Sequence, residues 1–181
     1  MRHSSLSAWT GFHEDAQGIF DFAIVDEEFR EFAIRQLDEA DTLGFGHSTY
    51  EHMAAWPTDQ AKANDDAIAT RMNTKPKLAF SNAIDQAEWS NTAIIGGDSV
   101  ERIEAIKSAQ GGEVLLIGSA HLTASFVAAK VLDELRIMIS PIVLGQGHNL
   151  FEDLKDRVAL NLAHVRQFES GNVLLTYRKS R

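Results

Sequence analysis

The stretch Glu113–Phe151, EVLLIGSAHLTASFVAAKVLDELRIMISPIVLGQGHNLF, contains the pattern that decides the fold. A continuous apolar run over Val114–Ile117 predicts a strand that is covered on both faces. The small residues Gly118-Ser119-Ala120 predict a sharp turn, and apolar residues at helical spacing follow it. A second apolar run, Leu135–Ile139, completes a βαβ unit, which normally gives a parallel pair of strands with a right-handed crossover.

The segments on either side of this unit continue the alternation of strands and helices. Strands are predicted at Ser5–Trp9, Thr42–Phe45, Lys77–Phe80 and Thr92–Ile95, and helices at Asp26–Ala40, Tyr50–Trp56, Asp59–Met72 and after a capping Asp98. Near the end of the chain, Leu160–Phe168 and Val173–Arg178 predict an antiparallel hairpin. This order predicts a single three-layer α/β domain over residues 1–181. Its mixed, mostly parallel sheet should have helices on both faces and an antiparallel C-terminal edge.

Composition argues against several classes of function. The chain has 181 residues and a formal net charge of −9, which argues against nucleic acid and anionic membranes as partners. It contains no cysteine, so disulfides, thiolate metal sites and cysteine nucleophiles are excluded. The seven histidines show no HExxH or paired metal spacing, so no metal site is predicted. The sequence has no apolar run of ~18 residues and no signal-peptide pattern, which predicts a cytoplasmic protein.

Three predicted strands end in turns of the same chemical kind. The turns are Gly46-His47-Ser48-Thr49, Ser81-Asn82 and Gly118-Ser119-Ala120. Because parallel strands bring their carboxyl ends to one edge of a sheet, we expect the three turns to meet there. Backbone N–H groups, hydroxyls and small side chains suit a pyrophosphate. Small residues also make ordinary turns, so the nucleotide interpretation depends on the three turns taken together.

Two further features have both a functional and a structural interpretation. Gly145–Leu150 is similar to the start of a dinucleotide fingerprint but lacks its third glycine, and we interpret it as a structural loop. Glu28 precedes Phe29 and lies one helical turn before Phe32. This position predicts a carboxyl at the edge of an apolar pocket, with a raised pKa that lets it pass a proton at neutral pH. The alternative is a solvated acid in the first turn of the helix.

Several blocks of the sequence resemble a known family. They are Val114–Leu122, Val131–Leu135, Pro141–Gly147 and Leu150-Phe151, together with Ala40–Glu51, which is similar to the family's GR-x-T-Y-E turn. The chain resembles the C-terminal reductase domain of the bifunctional riboflavin-biosynthesis deaminase–reductase and, more broadly, the dihydrofolate reductase-like fold. The resemblance runs from about Asp26 to Tyr177.

This resemblance implies an NADPH-dependent reductase, with NADH left open, that transfers a hydride to a pterin- or pyrimidine-like heterocycle and forms a homodimer. It implies cofactor contacts at Gly46, His47, Ser48 and Thr49 (phosphates), Ser81 and Asn82 (adenosine end), and Gly118, Ser119 and Ala120 (nicotinamide-side pyrophosphate). It also implies that Glu28 assists proton delivery to the substrate. His47 stands where the family usually has arginine, which pairs a 2′-phosphate bidentately, so the choice between NADP and NAD stays open. The alternative is a catalytically degenerate nucleotide-binding or dimeric interaction protein on the same fold.

Overall fold

The fold was obtained as a computed structural model, which describes residues 5–10, 24–54, 63–143, 150–151 and 154–180. Its strands are β1 (Ser5–Thr10), β2 (Thr42–Gly46), β3 (Lys77–Phe80), β4 (Thr92–Ile95), β5 (Glu113–Ile117), β6 (Glu134–Ile139), β7 (Leu160–Gln167) and β8 (Val173–Lys179). Its helices are α1 (Glu27–Glu39), α2 (His47–Met53), α3 (Asp66–Thr74), α4 (Ser99–Gln110) and α5 (Ala120–Ala128).

The strands form one eight-stranded sheet in the order β4-β3-β2-β5-β1-β6-β8-β7. The first six strands along the chain pair in parallel, and the hairpin β7–β8 adds an antiparallel edge next to β6. This confirms the predicted mostly parallel sheet. One detail differs, because β5 and β6 are not direct partners: β1 lies between them and pairs in parallel with both. Leu6 and Ala8 of β1 are fully buried, so this first strand fills the centre of the sheet.

Helices cover both faces of the sheet, as the three-layer prediction requires. Leu116 of β5 packs in a cluster with Ile103 of α4 and Phe126 of α5. Its neighbour Leu115 packs instead with Leu37 of α1. Since successive side chains of a strand point to opposite faces, the two clusters lie on opposite sides of the sheet. Each fully buried aliphatic or aromatic side chain contributes roughly 1.5–3 kcal/mol to this packing.

The start of one helix differs from the sequence prediction. Helix α2 begins at His47 rather than Tyr50, so the predicted turn is the first turn of the helix and Gly46 is its N-cap. Glycine has no side chain with which to mark a helix start, which is why the pattern placed the start too late. Helix α3 runs over Asp66–Thr74 with Asp65 as its N-cap, and the predicted helix start at Asp59 lies outside the described residues.

Some sequence predictions fall outside the described residues. They concern the polar loop at 13–17, the end of the predicted helix at 55–56, the start of the next at 59–62, and most of the glycine-containing loop at 145–149. Within the ranges that the structure describes, no helix combines the length and the apolar character needed to cross a membrane.

Candidate functional site

The three turns predicted from the sequence lie side by side at the carboxyl edge of the parallel strands. Gly46 N–H donates to Ser119 Oγ at 2.7 Å, and Thr49 Oγ1 accepts both the N–H of Ser119 at 3.1 Å and its hydroxyl at 2.9 Å. On the other side of α2, His47 Nδ1 lies 3.0 Å from Ser81 Oγ. Turns that follow β2, β3 and β5 therefore form one continuous surface. Their role in binding a cofactor remains a prediction.

A fourth turn, which the sequence analysis did not assign to the site, extends this edge. Gly96-Gly97 follows β4, and Gly97 N–H donates to Asn82 Oδ1 at 2.7 Å. Arg102, in the first turns of α4, donates from Nε to the carbonyl oxygen of Gly96 at 3.2 Å. The signal that could have found this turn is a pair of small residues directly after a parallel strand, since small residues also begin two of the other turns.

Helices α2 and α5 both begin at this edge without a side-chain cap. Their N-cap residues are Gly46 and Ser119, and neither side chain accepts a hydrogen bond from the first turn of its helix. Asp26, Asp65 and Asp98, in contrast, cap α1, α3 and α4. The N–H groups at an uncapped helix start carry partial positive charge and attract anions. The edge therefore presents two such helix starts next to each other.

Ser119 has a backbone conformation that few residues other than glycine adopt. Its φ of 57° and ψ of 62° are left-handed, which costs roughly 1–2 kcal/mol for a residue with a Cβ. The hydroxyl offsets this strain, because it accepts from Gly46 N–H and donates to Thr49. A left-handed residue followed by right-handed helix directs successive N–H groups into one concavity, an arrangement that binds anions.

The cradle formed by these turns has little room for side chains. A Cβ on Gly46 would lie 3.1 Å from Ser119 Oγ, which is tighter than ordinary contact. Gly118 has a φ of +62°, and a Cβ there would lie 3.3 Å from Thr49 Cγ2. Backbone N–H groups, two hydroxyls and a close approach to the main chain are the features that a pyrophosphate requires. The residues present therefore fit the dinucleotide cofactor that the sequence implied.

Glu28 has a different environment from the one predicted. Its Oε1 accepts from Arg166 Nη2 at 2.7 Å, and its Oε2 accepts from Glu169 N–H at 2.8 Å. The hydrogen bond from Arg166, followed by that from the Glu169 N–H, lowers the pKa of Glu28 below its usual range. The expectation of a raised pKa is therefore wrong: Phe29 and Phe32 are buried, but the carboxylate is directed to the hairpin and held charged. Whether Glu28 takes part in catalysis remains a prediction.

Arg166 is a second residue that the sequence analysis missed. It lies on β7 with its guanidinium 4.3 Å from the centre of the Phe168 ring and 5.8 Å from that of Phe32. Cation–π contacts of this kind orient a guanidinium. Arg166 therefore holds the start of α1 against the C-terminal hairpin through Glu28.

Comparison with known proteins places the chain in a family. Residues 51–174 match the RibD C-terminal domain, a range that includes two of the three predicted turns. The chain is 31% identical over 171 residues to the uncharacterized protein YyaP of Bacillus subtilis (strain 168). The aligned region covers 92% of this chain and 88% of that protein.

Two solved structures share the fold at low sequence identity. One is a diaminohydroxyphosphoribosylaminopyrimidine deaminase/5-amino-6-(5-phosphoribosylamino)uracil reductase from Thermotoga maritima, with a TM-score of 0.71, 12% identity, and coverage of 98% of this chain and 57% of that chain. The other is dihydrofolate reductase from Enterococcus faecalis complexed with NADP(H), with a TM-score of 0.59, 16% identity and 99% coverage of both chains. These likenesses show a dihydrofolate reductase-like α/β fold. Together with the match over residues 51–174, they lead to one conclusion: the chain belongs to the RibD C-terminal domain family.

Proposed function

We propose that the chain is a reductase that binds a nicotinamide dinucleotide at these turns and transfers a hydride to a pterin- or pyrimidine-like heterocycle. The observation that carries the proposal is the meeting of three small, hydroxyl-bearing turns around the uncapped starts of α2 and α5. Family membership supports it, as does the likeness to a dihydrofolate reductase complexed with NADP(H).

The pyrophosphate would be held where α2 and α5 begin. Gly46, Gly118 and Ala120 keep side-chain bulk low there, and Ser119 fixes the distance between the two turns through its hydroxyl. Thr49 Oγ1 already accepts two hydrogen bonds from Ser119. A hydroxyl has one proton to donate, so that of Thr49 is available to a phosphate oxygen.

The adenosine end would lie along Ser81 and Asn82. Ser81 Oγ accepts the N–H groups of Ala83 at 3.0 Å and Ile84 at 3.2 Å, which fixes the turn after β3. Asn82 Oδ1 holds the next turn through Gly97 N–H. When bound, the cofactor supplies the hydride, and the protein's contribution is to bind and orient it and to exclude water from the reacting atoms.

A second function, nucleotide binding without turnover, is favoured by one specific observation. The carboxylate that the resemblance assigns to proton delivery, that of Glu28, is engaged by Arg166 and by Glu169 N–H, and its pKa is lowered. A general acid works best with a pKa near the operating pH. Oxidation of NADPH in the presence of dihydrofolate or of the ribosylaminopyrimidine separates the two functions, since only the reductase consumes the cofactor.

Calorimetric titration with NADPH tests the binding site. We expect Gly118→Val to abolish binding, because a left-handed backbone and the contact with Thr49 leave no place for the side chain. Thr49→Val, which keeps the shape but removes the acceptor for Ser119, should weaken binding about tenfold or more. Thr74→Val is the matched control, because the Thr74 hydroxyl donates to Thr70 O on α3, away from the turns. NADPH affinity that is unchanged in both site variants would remove the assignment.

A further inference from the structure

A cavity lies at the edge of the sheet opposite the proposed cofactor turns. Its volume is about 480 Å³, which is within the range of small-molecule sites. It opens beside the first residues of β6 and β7 and the last residues of β8. The cofactor turns follow the carboxyl ends of the parallel strands, and a strand of five or six residues is roughly 15–20 Å long. The cavity and the cofactor turns are therefore separate places on the molecule.

The floor of the cavity is apolar and belongs to the packed core. Leu132 and Leu135 are buried there, and Val158, Leu160 and Tyr177 are partly buried against the same cluster. The hydroxyl of Tyr177 forms no hydrogen bond with any residue that the structure describes. Such a floor can hold the hydrocarbon body of a ligand, and the hydroxyl can donate to its polar end.

The two carboxylates that line the cavity are already neutralised. Each is engaged by two cations, namely Asp133 by Lys107 and Lys179, and Glu134 by Arg136 and Arg178. A positively charged ligand would have to displace one of these partners. The cavity therefore does not favour a cation.

Two further cations line the cavity and have no such partner. Lys130 and Arg157 are both exposed, and neither forms a salt bridge with a carboxylate in the described ranges of the chain. Lys130 follows the end of α5 with a φ of 59°, a backbone conformation in which glycine is usual. Together with Lys179, the cavity has three cations and two carboxylates, whereas the whole chain has a formal net charge of −9. This local excess of one positive charge suits a ligand with one negative charge.

We propose that this cavity binds a small amphipathic monocarboxylate. Its hydrocarbon body would lie on the floor formed by Leu132, Leu135 and Leu160, and its carboxylate would meet Arg157 and Lys130 at the mouth. An arginine pairs a carboxylate through two parallel hydrogen bonds, and a lysine adds a point charge. This site is distinct from the one in the proposed function, and neither depends on the other.

The test is calorimetric titration with octanoate and with octanamide, which has the same hydrocarbon chain and no charge. The native chain should bind octanoate about tenfold or more tighter than octanamide. Arg157→Gln should weaken octanoate binding about tenfold or more and leave octanamide binding unchanged. The matched control is Lys155→Gln, which removes one positive charge from an exposed residue of the same segment that does not line the cavity. It should leave both affinities unchanged.

Three results would overturn the inference. They are a native chain that does not prefer octanoate to octanamide, an Arg157→Gln variant with native affinity for octanoate, and an equal loss in the Lys155→Gln control. Saturating NADPH should leave the octanoate affinity unchanged, and competition would show that octanoate enters the cofactor turns instead. A chain that binds octanoate but no NADPH would overturn the proposed function and leave this site standing.

Discussion

At the scale of single residues, the sequence analysis succeeded where the signal is local. It failed where the partner of a residue is distant in sequence. The meeting of the three segments at one edge of the sheet was predicted correctly, because small residues directly after an apolar strand are a local signal. The environment of Glu28 was not, because its partner Arg166 lies 138 residues away. Arg102 was missed for a related reason: it touches the site through Gly96, and no helical pattern marks such a contact.

Replacing Glu28 by glutamine tests the anchoring role that the structure gives it. Because the folded-state pKa of Glu28 is lowered from 4.5, its carboxylate stabilises the fold above that pH. That contribution is lost as the pH falls through the lowered pKa. We therefore expect Glu28→Gln to lower the urea midpoint at pH 7, with the difference from the native chain shrinking at pH 3.

Glu31→Gln is the control for this experiment, since Glu31 is 59% exposed and lies 3.7 Å from Arg35. It should leave the midpoint almost unchanged at either pH. A Glu28→Gln variant with native stability but no reductase activity would contradict the anchoring role and support proton delivery.

At the scale of helices and strands, most of the fold could be predicted, and the pairing of strands could not. Continuous apolar runs predicted the parallel strands, the acidic residues from Asp26 predicted the start of α1, and the capping Asp98 predicted that of α4. The insertion of β1 between β5 and β6 left no local signal, because a buried parallel strand has the same apolar pattern at any central position. The start of α2 was misplaced because its cap, Gly46, has no side chain.

Asp133 connects three elements and provides a test of how they are held together. It accepts hydrogen bonds from Leu6 N–H of β1, Lys107 of α4 and Lys179 of β8. Burial raises the pKa of Asp133, but the bonds from the two lysines and from the Leu6 N–H outweigh it, and the net pKa is lowered.

We expect Asp133→Asn to reduce the free energy of unfolding by about 2 kcal/mol, because the partly buried ammonium group of Lys107 loses its counter-charge. The measurement is urea denaturation at neutral pH. Asp38→Asn, which removes an exposed carboxylate paired with Arg71, is the comparison and should cost about 1 kcal/mol or less. Equal losses in the two variants would show that Asp133 is no more important than a surface ion pair.

At the scale of the whole molecule, the hairpin exposes an apolar face. Leu162 and Val165 of β7 are 55% and 49% exposed, and Ile139 of β6 is 50% exposed. A β-bulge between Leu162 and His164 places Leu162 and Val165 on the same face of the hairpin, because they pair with Tyr177 and Leu175. An apolar face on an edge strand favours association between chains.

The homodimer implied by the sequence resemblance is therefore expected to form through this hairpin face. Sedimentation at micromolar concentration should give twice the mass of one chain, and Leu162→Glu combined with Val165→Glu should give a monomer. Asn161→Glu, on the same strand and also exposed, is the control and should leave the dimer intact. A native chain that sediments as a monomer would contradict the prediction.

The hydrogen bond between Gly46 and Ser119 joins residues 73 positions apart, and it has a practical consequence. Such a cradle exists only while the central strands are paired, so a molecule that settles in it binds the native state and has no counterpart in the denatured chain. At a hundred times its dissociation constant, such a molecule adds about 2.7 kcal/mol to the native state. Heating the chain in the presence of a nucleotide collection would therefore reveal the cofactor as a compound that delays melting.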